Sequence, residues 1–548
     1  MPSERRAIKK GIDVDDCRKG RAAAKIELRK AKKEEGIQKR RASTRAEEAT
    51  EEVTAVEAAL PTDFDALAAV ALGFVASNGA PEQFDNALAA VKSLRKKLSL
   101  TKGPPIDECI AAGLVPAFVT MLQHPDTKMQ FESAWCLTNI ASGTSAQCDV
   151  VVTHNGVPGL AALLRSPDIE VCEQAVWAVG NIAGDCPRLR DIVLASGAAD
   201  SVINMIESTA QLGQIGPLRN AVWALSNMVR GKPQPSATHV AKFVPVLARL
   251  LLVPDEEVHV DTCWALSYAT DGGDDRIDMV VGANTVGSLM SIVRGTEAKA
   301  RTPALRTLCN ILTGSTEATQ AVIDAGVLDV LPNSLKSPKM QVRKEACWAL
   351  SNITAGSAAQ VELVLGSSCL LAVVIEKLGT DEYEVKKEAA WVLANVLNGF
   401  KTDPSERTAA RATALVQLGC LRPMCDMLEV NDAAMQKLML EAVTHLLSAG
   451  EFIGRSKGSN FTNPFIVPFD EAEGIDQLEK LQEHTNQEIY DLAVETLDTY
   501  FQQDDEDDEN LLPNTAADGG FSFGVQPATA EGAAPGFAFA SPQPAFAF

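Results

Sequence analysis

Five tryptophans are each followed four residues later by an asparagine: Trp135 and Asn139, Trp177 and Asn181, Trp223 and Asn227, Trp348 and Asn352, Trp391 and Asn395. On an α-helix, residues i and i+4 lie one above the other on a single face. Each pair therefore sets a flat apolar ring beside an amide that both donates and accepts hydrogen bonds. That combination suits a peptide. The amide can pair with main chain, and the ring can carry the methylene stem of a lysine or arginine, with a cation–π attraction of about 0.5 to 2 kcal/mol. A lone helical tryptophan is ordinarily core. An amide repeated beside it, on a dry face, would go unsatisfied at roughly 1 to 3 kcal/mol per layer. The face is expected to be wet or occupied by a polar ligand.

Carboxylates recur at fixed offsets from these pairs. Asp261, Glu345 and Glu388 each stand three residues before the first position, Asp185 stands four after Asn181, and Glu173 beside Gln174 leads into the Trp177 pair. Acids in slots between neighbouring indoles predict a basic ligand. Two further copies of the pair are half kept: Trp264 is followed by Tyr268, and Arg306 replaces the ring before Asn310. They divide the ladder into a long run (Trp135, Trp177 and Trp223, with Trp264 at its edge) and a short run (Trp348, Trp391). Two basic-cluster sites of unequal size on one groove are expected, able to take one split peptide.

The elements that must hold these residues follow from their period. Successive first positions lie 42, 46, 41, 42, 42 and 43 residues apart, within the range of about 40 to 47 for armadillo or HEAT arrays. Within residues 145–184 a short helix ends at Gly156, Pro158 opens a second through Leu164, Ser166 to Asp168 turn the chain, and a third runs from Ile169 to Gly184. Three helices per unit favour armadillo repeats. Ten are expected over residues 63–503, the first and those after Gly399 lacking the Trp and Asn pair, as suits solenoid ends. The predicted fold is all-α, a right-handed superhelical solenoid. Its third helices, stacked about 10 Å apart, carry one pair per layer. An extended peptide advances about 3.3 Å per residue, so an amide meets its main chain every two to three residues.

Composition bounds the rest. The net charge of −22 divides sharply: residues 1–45 carry 16 Lys and Arg against 7 Asp and Glu, a balance of +9, and the remainder carries −31. A basic arm (1–62, ending in an Ala, Thr, Ser and Glu rich linker) is attached to an acidic body. An acidic protein groove is the expected partner of the arm, rather than nucleic acid or membrane, and the tether favours self-binding. No uninterrupted apolar run reaches the roughly 18 to 20 residues of a membrane span, so a soluble, intracellular chain is expected. The 12 cysteines form no CxxC pair and read as small buried residues. No catalytic motif, metal-spaced cluster or cofactor signature is present; an enzyme is not expected. Residues 504–548 open with an acidic run and continue as Gly, Ala, Pro and Phe rich sequence, including FSFG at 521–524. A disordered tail is expected.

With the ladder, its interrupted middle and the basic arm, the sequence closely resembles the importin-α family, adaptors that carry nuclear localisation signals into the nucleus. SGTS (142–145), GNIAGD (180–185), CWALSYATDG (263–272) and CWALSNITAG (347–356) carry the resemblance. It implies an importin-β-binding arm and a major signal site formed by Trp135, Asn139, Trp177, Asn181, Trp223, Asn227 and Asp185. Asp185 is implied to receive the key lysine, with Gly143 as a backbone contact. The implied minor site comprises Asn310, Glu345, Trp348, Asn352, Glu388 and Trp391, with Thr319 beside them, next to Arg306 and Asn395 on the ladder. Lys39, Arg40 and Arg41 match an internal signal mimic that occupies the groove until importin-β takes the arm. An export receptor for recycling, contacts with nuclear-pore proteins and shuttling between cytoplasm and nucleus are further implications. Cys148 and Thr316 depart from the Thr and Asp usual at the two sites.

Overall fold

Local punctuation sets where each helix of a repeat starts and stops. The computed structural model describes residues 56, 62–100, 102–402, 404–456, 462–501, 514–515 and 521–522. In the repeat leading to Trp177, Thr144 and Gln147 form a reciprocal capping box that opens the helix Ser145–Thr153. Asn155 then takes a left-handed conformation (φ 61°) and turns the chain into Gly156–Leu163. That second helix starts two residues before Pro158, earlier than the sequence suggests. The left-handed Asn155 already makes the break, which leaves Pro158 in a first turn where a missing N–H costs little. Asp168 caps the third helix, Ile169–Asp185, its carboxylate accepting from Glu170 N. Glycine takes the left-handed position at Gly113, Gly197, Gly326 and Gly419.

Among the described residues ten long helices stack in chain order, each against the next: Phe84–Leu98, Thr127–Ala141, Ile169–Asp185, Ile215–Val229, Glu256–Ala269, Ala298–Ile311, Met340–Thr354, Tyr383–Thr402, Ala433–Ser456 and Gln487–Tyr500. Shorter helices pack over one side of this stack. One hydrophobic core runs unbroken from Leu67 to Ala493. The fold is an armadillo solenoid, in which each unit buries its apolar face against its neighbours. Within the tail, Asn514–Thr515 pair antiparallel with Phe521–Ser522. The basic arm, including Lys39, Arg40 and Arg41, lies outside the described residues.

Arginines tie one layer to the next by bonding carboxylates at helix ends. Arg219 reaches Asp255, the N-cap of Glu256–Ala269, with Nε 3.0 Å from Oδ1. Arg343 reaches Asp381, which ends the helix Ser368–Thr380, in a two-pronged bond of 2.7 and 2.8 Å. The hydrogen bond from Arg219 holds the Asp255 carboxyl below its ordinary range. At Asp381 burial pushes the other way, but Arg343, a backbone N–H and Lys377 outweigh it and the carboxyl is again held low. A carboxyl depressed in the folded state contributes stability above its unfolded value of about 3.9, and that contribution is lost as pH falls through the folded value. Arg343→Ala is therefore expected to lower stability at pH 7 by about 1 to 3 kcal/mol, because it removes the two-pronged partner of a largely buried carboxylate. In urea titrations the gap from wild type should narrow below about pH 4; a gap independent of pH would contradict this account.

Candidate functional site: the ladder across the stacked helices

Each long helix from Thr127 to Thr402 contributes one rung. The asparagines do something their spacing alone did not reveal. Asn181 Nδ2 donates to the Thr138 carbonyl (3.3 Å), Asn227 to Gly180 (3.1 Å), Asn310 to Ser267 (2.9 Å) and Asn395 to Ser351 (2.9 Å). Every acceptor belongs to the preceding long helix, one residue before that helix's own rung position. Asn139 donates instead to Ser99 Oγ (3.0 Å), and Asn352 to the Trp348 carbonyl of its own helix (2.9 Å). The premise behind a face that is wet or occupied by a polar ligand is thus narrowed: the nitrogen ends of these amides are satisfied by protein. Asn227 Oδ1 accepts from Arg230 Nη1 (3.4 Å). Asn181 Oδ1 is buried with no hydrogen-bond partner, an acceptor suited to a peptide N–H.

The indoles depart from the expected row of open slots. Trp177 and Trp223 touch, with ring centroids 4.9 Å apart and planes tilted by 36°. A methylene chain between two rings needs about 7 Å, two van der Waals layers of about 3.5 Å, so this slot is closed. The cause is local. A Cβ on Gly180 would lie 2.4 Å from Trp223 Cζ3, and one on Gly184 would lie 3.1 Å from Asn227 Cγ. The missing side chains let the next helix lean in. Trp135 stands edge-on to Phe131 (5.3 Å, 78°), and Trp264 stacks with Tyr268 (5.9 Å, 24°). Trp348 is buried, whereas Trp135, Trp177, Trp223, Trp264 and Trp391 are half-buried.

The carboxylates fall into two classes. Asp185 ends its helix, where the dipole disfavours a negative charge. Its Oδ1 accepts from Ser145 Oγ (2.9 Å), and its Oδ2 is buried without a hydrogen-bond partner. Glu345, by contrast, is engaged by Arg306 through bonds of 3.0 and 2.7 Å, with both side chains 3% exposed. It is not the bare slot acid that its offset suggests. Arg306 also lies 5.4 Å from the Trp264 ring centroid. Burial disfavours its charge, yet Glu345 more than offsets this and raises its pKa. Glu173 Oε1 accepts from Asn220 Nδ2 (2.9 Å), Glu388 is buried and Asp261 is half-buried.

Other predicted residues sit deeper. Gln174 is fully buried, its Nε2 donating to Thr138 Oγ1 (2.7 Å) and its Oε1 lacking a hydrogen-bond partner. Thr319 is fully buried with Oγ1 donating to the Leu312 carbonyl (3.3 Å). Gly143 makes room for the Gln147 side chain, whose Oε1 would lie 2.1 Å from an added Cβ. Cys148 is buried. Thr316 opens the helix Thr316–Asp324.

Sequence reading missed a rung. Arg95 stands 40 residues before Trp135 and Ser99 stands 40 before Asn139, so the first repeat fills both ladder positions with other side chains. Arg95 lies 4.3 Å from the Trp135 ring centroid and bonds Glu132 at 2.9 Å. Glu132 stands three residues before its tryptophan, at the same offset as Glu345. The 40-residue spacing was the available signal.

Comparison with known proteins meets this geometry directly. Residues 5–90 match the Importin beta binding domain family; 104–142, 144–184, 239–271 and 315–355 match the Armadillo/beta-catenin-like repeat, and 463–514 match the Atypical Arm repeat. The chain is 39% identical over 533 residues to Importin subunit alpha-1a of Oryza sativa subsp. japonica, covering 95% of this chain and 97% of the relative. The chain belongs to the importin-α family. Importin subunit alpha-3 of Arabidopsis thaliana (39%, 95% and 96% covered) and Importin subunit alpha-B of Dictyostelium discoideum (38%, 94% and 96%) are similar along their lengths. A crystal structure of an engineered protein superposes with a TM-score of 0.67 at 26% identity, covering 80% of this chain and 98% of that one. Membership makes the chain a nuclear import adaptor, and the domain match assigns importin-β to its N-terminal segment. That match runs past residue 62, over Phe64–Ala76 and into Phe84–Leu98.

In this importin-α the seat of Trp223 on Gly180 is open to test. Gly180→Ala is expected to destabilise the solenoid by about 1 to 3 kcal/mol through overpacking and to change tryptophan emission as the Trp223 indole is displaced. Emission identical to wild type would mean that the indole does not rest there.

Proposed function

We propose that the ladder is the cargo site: an extended basic peptide lies along the long helices, its N–H groups meeting asparagine oxygens and its lysines meeting groove carboxylates. The observation that carries this reading is Asp185 Oδ2, buried and without a hydrogen-bond partner at the end of the Trp177 helix. A buried carboxylate oxygen left in that condition costs stability unless an ammonium or guanidinium reaches it. The major site comprises the rungs from Trp135 to Trp223 with Asp185, Gly143 and Asp261. The minor site comprises Trp348, Asn352, Glu388, Trp391 and Asn395. Arg306 and Tyr268 close off the middle around Trp264, so a split signal spans the gap. For a lysine stem to enter between Trp177 and Trp223, the Trp223 indole turns off Gly180.

The arm serves the same groove. Lys39, Arg40 and Arg41 occupy it in the absence of importin-β, and importin-β binding withdraws them and admits cargo. The adaptor then shuttles between cytoplasm and nucleus, returned by an export receptor, with the FSFG segment available to nuclear-pore proteins.

Two measurements address this. Asp185→Asn should weaken a single-cluster basic peptide by roughly 30-fold, as expected when a buried charge pair is broken, in a tryptophan-fluorescence titration; unchanged affinity moves the key lysine elsewhere. Replacing Lys39, Arg40 and Arg41 together by alanine in the full chain should tighten the same peptide several-fold. Equal affinity would rule out competition by the arm.

A further inference from the structure

The residues that follow the basic cluster carry a second chemistry. Ser43 has Arg41 two positions before it, Arg40 three before and Lys39 four before, in the order Lys-Arg-Arg-Ala-Ser. A serine with arginines at those two positions is the pattern that basophilic Ser/Thr kinases read, because an acidic cleft pairs each guanidinium by charge-assisted hydrogen bonds. The same arginines are the ones assigned above to the groove. One cluster cannot occupy two acidic sites at once, so a kinase reads it only while the arm is out.

We infer that Ser43 is a phosphorylation site whose modification keeps the arm out of the cargo groove, an inference that rests on the reading of the arm as a groove ligand. In the reaction the Ser43 hydroxyl oxygen attacks the γ-phosphorus of ATP held by the kinase. The bond from that phosphorus to the β–γ bridging oxygen breaks, the hydroxyl proton passes to the kinase's general base, and ADP leaves. The product carries about −1.5 to −2 charges at pH 7.

The groove is poorly suited to that charge. Two residues span at most about 7 Å, so the phosphate stays within the Debye length of about 8 Å of whatever carboxylates receive Arg41. The carboxylates along the ladder are Asp185, with its unpartnered buried oxygen, Glu173, Asp261 and Glu388. Arg95 and Arg306, the guanidiniums on the ladder, are engaged with Glu132 and Glu345. The cluster turns from a ligand of net positive charge into one that meets like charge. Phosphorylation thus captures the open state, and cargo in the groove exposes the cluster to the kinase.

The test uses the full chain, ATP and the catalytic subunit of cyclic-AMP-dependent protein kinase, with a fluorescent basic peptide lacking Ser and Thr as the cargo probe. Peptide mapping should find phosphate on Ser43, incorporated several-fold faster when the cargo peptide is saturating. The phosphorylated chain should bind the peptide at least threefold tighter, approaching the chain with Lys39, Arg40 and Arg41 replaced by alanine. Ser43→Ala should bind as the unmodified chain does and gain nothing from the kinase. The switch is overturned if Ser43 takes no phosphate. It is equally overturned if phosphate leaves affinity unchanged, or weakens it, while the triple-alanine chain still binds tighter. A triple-alanine chain that binds no tighter than wild type removes the arm-in-groove reading itself, and the switch falls with it.

Discussion

The bond on which the rest depends runs from a ladder amide to a carbonyl of the preceding long helix. A helical carbonyl already accepts from the N–H four residues on, and a second lone pair is free. Asn181, Asn227, Asn310 and Asn395 each use that lone pair at the same register, one residue before the rung below. Hydrophobic stacking of helices tolerates sliding, since it is non-directional. A buried amide does not, because a shift of one residue leaves a donor unpaired at about 1 to 3 kcal/mol. Apolar contact brings the layers together and the asparagines fix their phase. The same bond uses only the nitrogen end of each amide and leaves its oxygen over, as at Asn181, whose Oδ1 has no hydrogen-bond partner.

Close approach of layers needs absent side chains as much as present ones. Gly180 and Gly184 lie on the helix of Trp177, and the residues that fill their space are Trp223 and Asn227, the next rung. The 46-residue step between Trp177 and Trp223, the longest in the ladder, leads to two indoles in contact, their centroids 4.9 Å apart. The extra length belongs to the Ala198–Gln211 helix and the turn after it, in which Gly213 is left-handed. The insertion is thus absorbed away from the ladder face, and the rung keeps its register through Asn227 and Gly180.

Repeat length, three helices per repeat and the shared face of Trp and Asn were all legible, because period and capping chemistry are local properties of the chain. The turn at Ser166 to Asp168 before the third helix followed from residue type alone, and the structure caps that helix with Asp168. What escaped was whatever depends on the neighbouring layer. Asn181 was read as half of a wet pair because its acceptor, the Thr138 carbonyl, is 43 residues away. Glu345 was read as a bare acid because Arg306, which neutralises it, sits on the helix below. Arg95 went unread since a rung was sought as Trp and Asn, whereas the 40-residue spacing marks position rather than residue type.

The two arginines explain where the ladder stops. Arg95 and Arg306 stand at positions that indoles hold elsewhere, each lies over the tryptophan of an adjacent rung, and each bonds a carboxylate three residues before a tryptophan. Those are the two contacts a basic ligand side chain is proposed to make, an indole face for the charge and a carboxylate for the pair. The fold supplies them internally at Trp135 with Glu132, and at Trp264 with Glu345. A rung so filled has its cation–π attraction and its ion pair already formed, and an incoming lysine would have to displace a guanidinium that is 3% exposed and doubly bonded. The long run is thereby closed at one end by Arg95 and at the other by the Arg306 and Tyr268 enclosure of Trp264. The unequal division of the groove is a consequence of two substitutions that turn a reading position into a self-occupied one.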